Sequence, residues 1–191
     1  MGWWMCIAVI SSRERPLKLS GGDWMPAVGL GTCCRPASNG PPLIASALAF
    51  LRSGGRLIDT AQMYGNEAAL GEAIVESGLD RSELWITSKV NHLLIHSRAA
   101  AIASISQSVH VLRTSYVDLM LIHGSWRLSS AQLCGVWSGL IDAQLAGQVR
   151  NIGVSNLLRN QIELLEQQTS VLPAVNEIEF HPVQRLVLGS A

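Results

Sequence analysis

The feature that most narrows the fold is an alternation. From about residue 28, short apolar runs alternate in strict order with longer amphipathic ones. The short runs are 28–32, 56–60, 84–89, 117–123, 149–154 and 174–180. Each is rich in Ile, Leu and Val and apolar without a period of two, the pattern of strands buried on both faces. The segments between them carry helical stripes. Ile44, Ala47, Leu48 and Leu51 form one, and Ile102, Ile105, Val109 and Leu112 a second. Leu133, Trp137, Leu140 and Ile141 form a third, and Leu158, Ile162 and Leu165 a fourth. Asn66 is placed to cap the helix that carries Leu70 and Ile74. Gly54 and Gly55 end the first helix, where a left-handed residue is wanted. Asp80 and Glu83 have capping-box spacing but precede a strand-like run, so a turn is expected there.

Strand–helix alternation implies a parallel sheet with right-handed crossovers, either open and doubly wound or curled as a (β/α) barrel. No G-x-G-x-x-G sits between a strand and a helix. Gly29-Leu30-Gly31 is a two-glycine fragment before a Pro-rich loop, which speaks against the open form. Segment 17–24 has a turn between two short apolar pieces and reads as a hairpin ahead of the first parallel strand.

The chain has 191 residues, 48% of them apolar and 15% charged, with 14 basic against 14 acidic side chains. That supports one domain with a sizeable core over 17–191, preceded by an apolar leader, 1–16. The leader holds Trp3 and Trp4 but no basic residue ahead of its apolar stretch and no clear cleavage site, so it does not read as a signal peptide. Zero net charge argues against nucleic-acid binding. No apolar run approaches the ~20 residues that span a bilayer. Cys6, Cys33, Cys34 and Cys134 form neither a C-x-x-C site nor a spaced disulfide framework. Cys33 and Cys34 read as loop thiols, and a cytoplasmic, reducing setting is expected.

The polar side chains fall at strand ends. Asp59 ends the second run, Lys89 the third and His123 the fourth; Ser155 and Asn156 follow the fifth, and Asn176 and Glu177 lie late in the sixth. In a parallel barrel all these ends open on one face, where barrel enzymes carry their sites. One polar residue at a strand end equally marks where a strand stops; five consecutive strands do not share that explanation. Asp, Lys and His near Tyr64 suit proton delivery to a carbonyl oxygen. A tyrosine titrates near ~10. An adjacent ammonium lowers that, a carboxylate holds the lysine, and a histidine orients the substrate oxygen.

Five stretches then resemble the aldo-keto reductase family in order and spacing: 56–67 (RLIDTAQMYGNE), 84–89 (LWITSK), 116–123 (YVDLMLIH), 152–156 (IGVSN) and 176–182 (NEIEFHP). The similarity runs from about residue 17 to 182. It implies a TIM-type (β/α) barrel closed below by an N-terminal hairpin, and reduction of aldehydes and ketones with NADPH, or the reverse oxidation. The cofactor it implies is NADP(H) and the partner a small-molecule carbonyl substrate. By the same resemblance Tyr64 would be the general acid, and Lys89 would lower its pKa. Asp59 would partner Lys89 beside the cofactor, and His123 would orient the carbonyl. Ser155 and Asn156 match the pair that holds the nicotinamide carboxamide, and Gly31 and Thr32 the loop beside it.

Departures from the pattern carry their own expectations. Glu177 stands where Gln is common; a carboxylate only accepts hydrogen bonds, so weaker or pH-dependent nicotinamide binding is expected. Cys33, Asn91 and Gly124 stand where many members have Trp, and with Met63 they would line a wider, more polar substrate mouth. Trp126 and Met63 are the side chains able to compensate. The chain runs only to Ala191, so about six of eight βα units are expected, without the basic grip on the 2′-phosphate and adenosine. Barrels of this type usually need ~250 residues. Open edges at the first and sixth strands are then templates for self-association, with 183–191 as a short apolar cover. The alternative to a reductase is a truncated, inactive member acting as an interaction protein or an unstable fragment. His92 and His96 have the spacing of two ligands on a helix face, but Leu93 replaces the glutamate of H-E-x-x-H, and no metal is expected. His110 reads as a surface residue and His181 as part of a structural turn.

Overall fold

The computed structural model describes residues 15–34 and 38–181. The expectations for Trp3, Trp4, Cys6 and nearly all of the leader, for Pro182 and for the 183–191 cover lie outside them. The chain starts with the expected hairpin. Strands β1 (Leu17–Lys18) and β2 (Trp24–Met25) pair antiparallel, Leu17 opposite Met25. Strict alternation follows: β3 (Gly29–Gly31), α1 (Gly40–Arg52), β4 (Leu57–Asp59), α2 (Glu67–Ser77), β5 (Trp85–Val90), α3 (Arg98–Val111), β6 (Val117–Ile122), α4 (Ser130–Leu145), β7 (Val149–Ser155), α5 (Arg159–Thr169) and β8 (Asn176–Glu177). The six strands from β3 to β8 form one sheet in chain order, parallel at every pairing. It curls toward a barrel without closing.

The sheet is apolar on both faces for a reason visible in the parity of its residues. Ile58, Ile86, Val90, Met120, Ile122, Ile152 and Val154 pack outward with the helices in one core. Trp85, Leu119 and Leu121 face the other way, packed with Leu19 of the hairpin and with Leu57 and Val175. Burying each such Leu or Ile contributes about 1.5–3 kcal/mol, and neither face is left to solvent. The hairpin is also held by charge at the start of the strands. Asp23 accepts from Arg150 at 2.8 Å and from Asn151 at 2.7 Å. Arg81 donates at 2.6 Å to buried Asp118, which also accepts from the Ile86 N–H.

Local signals mostly hold. Gly54 takes φ +94°, and the Gly55 N–H closes on the Phe50 carbonyl, ending α1 as expected. Arg81–Glu83 is a 3-10 turn in which Glu83 accepts from the Asp80 N–H, the expected turn before β5. Three expectations need correction. Leu158 is 49% exposed, because α5 begins only at Arg159 and Leu158 precedes it in an extended conformation. Asn66 sits at the N-cap of α2, but its side chain does not cap the helix; it is fully engaged in bonds to neighbouring loops. Residues 92–94 form a turn, so His92 and His96 share no helix face.

Among the described residues no helix is long and apolar enough to cross a membrane. Close packing of α3 on α4 relies on Gly139: a Cβ there would lie 2.7 Å from the Arg98 carbonyl oxygen and 2.6 Å from the Ala101 Cβ. Overpacking of this kind costs about 1–3 kcal/mol, against at most ~1 kcal/mol gained by replacing Gly in a helix. Gly139→Ala is expected to lower the urea midpoint; an unchanged or raised midpoint would contradict this packing.

Candidate active site

Inward parity carries the chemistry as well as the core. Register aligns Gly31 with Asp59, Asp59 with Thr87, Lys89 with Leu121, and Ser155 with Glu177. The inward set that is apolar at the bottom therefore turns polar at the strands' C-terminal ends, as Asp59, Lys89, Ser155 and Glu177, with His123 one residue beyond β6.

Lys89 is the centre of this group. It is 1% exposed, and three oxygens surround its Nζ, two of them as hydrogen-bond acceptors and the Glu177 carboxylate as an ion-pair partner. They are the Asp59 carboxylate, the Glu177 carboxylate at 3.1 Å and the Thr60 carbonyl at 3.3 Å. Burial pushes the ammonium pKa down, but Asp59 and Glu177 outweigh it and the net direction is up. Burial pushes the Asp59 carboxyl up, to about 7, with Lys89 pulling down and Glu177 pushing up again. One cation is thus shared by two carboxylates.

Tyr64 ends a 3-10 turn, Gln62–Tyr64, which Gly65 closes at φ +64°. Two amide side chains pin this turn. Gln62 donates to Ser104 and Ser108 of α3 and accepts from the Asn91 N–H at 2.9 Å. Asn66 donates to the Thr32 and Ser38 carbonyls and accepts from the Thr60 hydroxyl. The Tyr64 ring centroid lies 5.6 Å from Lys89 Nζ and 5.4 Å from the His123 ring, edge-on. Burial pushes the Tyr64 hydroxyl above its ordinary pKa; Lys89 pulls it down, while Asp59 and Glu177 push it up. Lys89 thus pulls in the expected direction, but burial and the two carboxylates outweigh it, so the net direction is up.

His123 is pushed down to about 4, by burial first and then by Lys89 and His92. It is neutral at pH 7. Its Nδ1 is buried with no hydrogen-bond partner among the described residues. Beside it lies His92, 3% exposed, with ring centroids 6.1 Å apart. Sequence reasoning weighed His92 only as a metal ligand; its place beside a strand-end histidine was the signal, since it follows the end of β5 by two residues. The indole of Trp126 lies 5.2 Å from the His92 ring. It also covers Gly124, where a Cβ would come within 2.2 Å of its Cζ3. An aromatic side chain thus stands at the place expected to lack one.

The remaining expected positions divide. Asn156, in the left-handed region at φ +58°, donates to the Ser155 hydroxyl at 2.8 Å, and both lie on the same rim as Glu177. Thr32 is buried and donates through N and Oγ1 to the Asp59 carbonyl, which ties β3 to β4. Gly31 ends β3 beside it. Asn91 turns its side-chain oxygen back to the Leu93 N–H, and Met63 is exposed on the Tyr64 turn. Cys33 and Cys34 are neighbours just beyond β3, with Cα atoms 3.7 Å apart. Among the described residues no three His, Cys, Asp or Glu side chains converge to hold a metal.

Comparison with known proteins matches this arrangement. The model of the aldo/keto reductase family covers residues 29–188. The 2,5-diketo-D-gluconic acid reductase B of Corynebacterium sp. (strain SHS752001) is 42% identical over 155 residues, 81% of this chain and 54% of the relative. Morphine 6-dehydrogenase of Pseudomonas putida is 39% identical over 173 residues, 91% of this chain and 57% of the relative. The chain therefore spans little more than half the length of these curated relatives. The crystal structure of an aldo/keto reductase from Brucella melitensis superposes with a TM-score of 0.80 at 32% identity, covering 88% of this chain and 64% of the other. A Bombyx mori aldo-keto reductase solved in complex with NADP superposes at 0.80 with 28% identity, covering 89% and 59%. Sheet, strand-end side chains and these matches agree: the chain belongs to the aldo/keto reductase family.

Proposed function

We propose that this chain carries the catalytic end of a reductase that converts aldehydes and ketones to alcohols with NADPH. The observation that supports it most is Lys89, buried and shared by Asp59 and Glu177, with the Tyr64 and His123 rings packed edge to face beside it. The NADP-bound relative supports the cofactor, and the nicotinamide end fits the residues present. The Ser155 hydroxyl, an acceptor from Asn156, keeps its own proton to donate to a carboxamide oxygen, and Glu177 offers an acceptor to the carboxamide NH2. When bound, the cofactor supplies a hydride to the carbonyl carbon.

The chain's own groups manage the oxygen. Neutral His123 donates a hydrogen bond to it, holding the carbonyl and stabilising the charge that develops there. Tyr64, kept protonated through neutral pH by burial, gives its proton to that oxygen as the charge forms. Lys89 stabilises the tyrosinate left behind, and Asp59 fixes the lysine. The exclusion of water around Lys89 strengthens each of these interactions.

General acids of this kind contribute about 10²–10⁴-fold. Tyr64→Phe is expected to lose that much kcat for an aldehyde with NADPH while NADPH affinity, read by tryptophan quenching, stays within about twofold. Full activity in the variant would remove Tyr64 from its role. Glu177→Gln adds an amide donor and removes a carboxylate that raises the Tyr64 pKa. NADPH is expected to bind about 2–10-fold tighter, the worth of one hydrogen bond, and the alkaline limb of kcat/KM to move to lower pH. Unchanged affinity and an unmoved limb would contradict the role given to Glu177.

A further inference from the structure

We propose that Asn39 is a site of spontaneous deamidation, and that its conversion to an aspartyl or isoaspartyl residue unties the turn that holds Tyr64. The modification stands apart from the reductase reading; only its effect on turnover rests on that reading.

Asn39 is the one asparagine in the chain that precedes a glycine, and it stands exposed at the N-cap of α1. A cap oxygen ordinarily accepts from the backbone N–H of the second or third helical residue. Here those residues are Pro41 and Pro42, which have no N–H. The Asn39 Oδ1 turns instead to the Gly40 N–H, at 2.7 Å. That brings the Gly40 nitrogen beside Cγ, the carbon bonded to Oδ1. Gly40 takes φ +58°, and nothing lies within 4 Å of where a Cβ would stand, so no side chain screens the two groups. The positive end of the helix favours loss of the nitrogen's proton and the negative charge that gathers on Oδ1. In the reaction the Gly40 nitrogen gives its proton to water and bonds to Cγ. The Cγ–Nδ2 bond breaks, and Nδ2 takes up a proton and leaves as ammonia. Water then opens the cyclic imide at either carbonyl, so the net change is water in and ammonia out.

The group lost is the one that reaches the site. Asn39 Nδ2 donates to the Gly65 carbonyl at 3.2 Å, and Gly65 closes the Gln62–Tyr64 turn. A carboxylate only accepts hydrogen bonds, so after conversion two acceptors face each other there. An isoaspartyl residue also adds a methylene to the main chain next to the Ser38 carbonyl, which Asn66 holds at 2.8 Å.

The full chain, fresh and aged at neutral pH, is digested and mapped by mass spectrometry, which reads oxygen in place of NH. A synthetic peptide of residues 36–44 is aged beside it. Asn39 is expected to convert ahead of every other asparagine, and at least as fast in the folded chain as in the peptide. An intact Asn39, or conversion slower in the folded chain than in the peptide, would overturn the site. Aspartate caps helices as well as asparagine does, so Asn39→Asp isolates the lost donor in a folded chain. Isotope-labelled tyrosine gives two ring signals, one each for Tyr64 and Tyr116. The Tyr64 signal is expected to move on ageing and in Asn39→Asp while that of Tyr116 stays; an unmoved Tyr64 signal would overturn the link to the turn. With NADPH and an aldehyde, kcat is expected to fall about 2–10-fold in Asn39→Asp, the worth of one hydrogen bond, at unchanged NADPH affinity. An unchanged kcat would contradict the effect on the site. A moved Tyr64 signal in a chain that turns over no aldehyde would sink the reductase reading and leave the deamidation site standing.

Discussion

Burying an ammonium in a parallel sheet costs several kcal/mol unless every N–H is met, and much of this structure is arranged to meet those of Lys89. Its acceptors come from different parts of the chain. Asp59 lies on the neighbouring strand, Thr60 just beyond it, and Glu177 on β8. Strands β5 and β8 are separated by β6 and β7 in the sheet. In a flat sheet with strands ~4.8 Å apart they would be roughly 14 Å from each other. A contact of 3.1 Å between Lys89 and Glu177 is therefore made across the hollow of a curled sheet. The ion pair and the curvature depend on one another: losing either carboxylate leaves a buried charge under-compensated, and flattening the sheet parts the pair.

The two ends of the strands divide the work. At their starts, Asp23, Arg81, Asp118, Arg150 and Asn151 join the hairpin to the sheet, each with a hydrogen-bonded partner. At their ends the inward side chains become polar around Lys89, with Glu177 half-exposed and Trp126 exposed beyond them. Ionisable groups at both ends are shifted by burial: Asp118 at the starts, and Asp59, Lys89 and His123 at the ends.

Much of this was legible in the sequence because parallel strands write their burial as short apolar runs, and because such strands all end on one rim. Positions 59, 89, 123, 155 and 177 could be assigned to that rim without coordinates. What escaped was set by neighbours distant in sequence. Asn66 has the composition of a helix cap, but its amide is drawn away by Thr32, Ser38 and Thr60. Tyr64 stands next to a lysine, yet the sum of burial and two carboxylates reverses the shift that the pair alone implies. At Gly124 the sequence named Trp126 as able to compensate but not where it lies, which is over that glycine. Contacts between residues two apart in an irregular loop leave no periodic trace.

The rest depends on the pairing of the Asp59 carboxyl with the buried Lys89 ammonium, beside Glu177. Carbon-detected NMR of the Asp59 carboxyl, followed through pH in the wild type and in Glu177→Gln, tests it most directly. The expected midpoint is near 7 in the wild type and lower in the variant, since the negative charge of the second carboxylate raises it. A midpoint in the ordinary carboxylate range near ~4, unmoved by Glu177→Gln, would contradict the account.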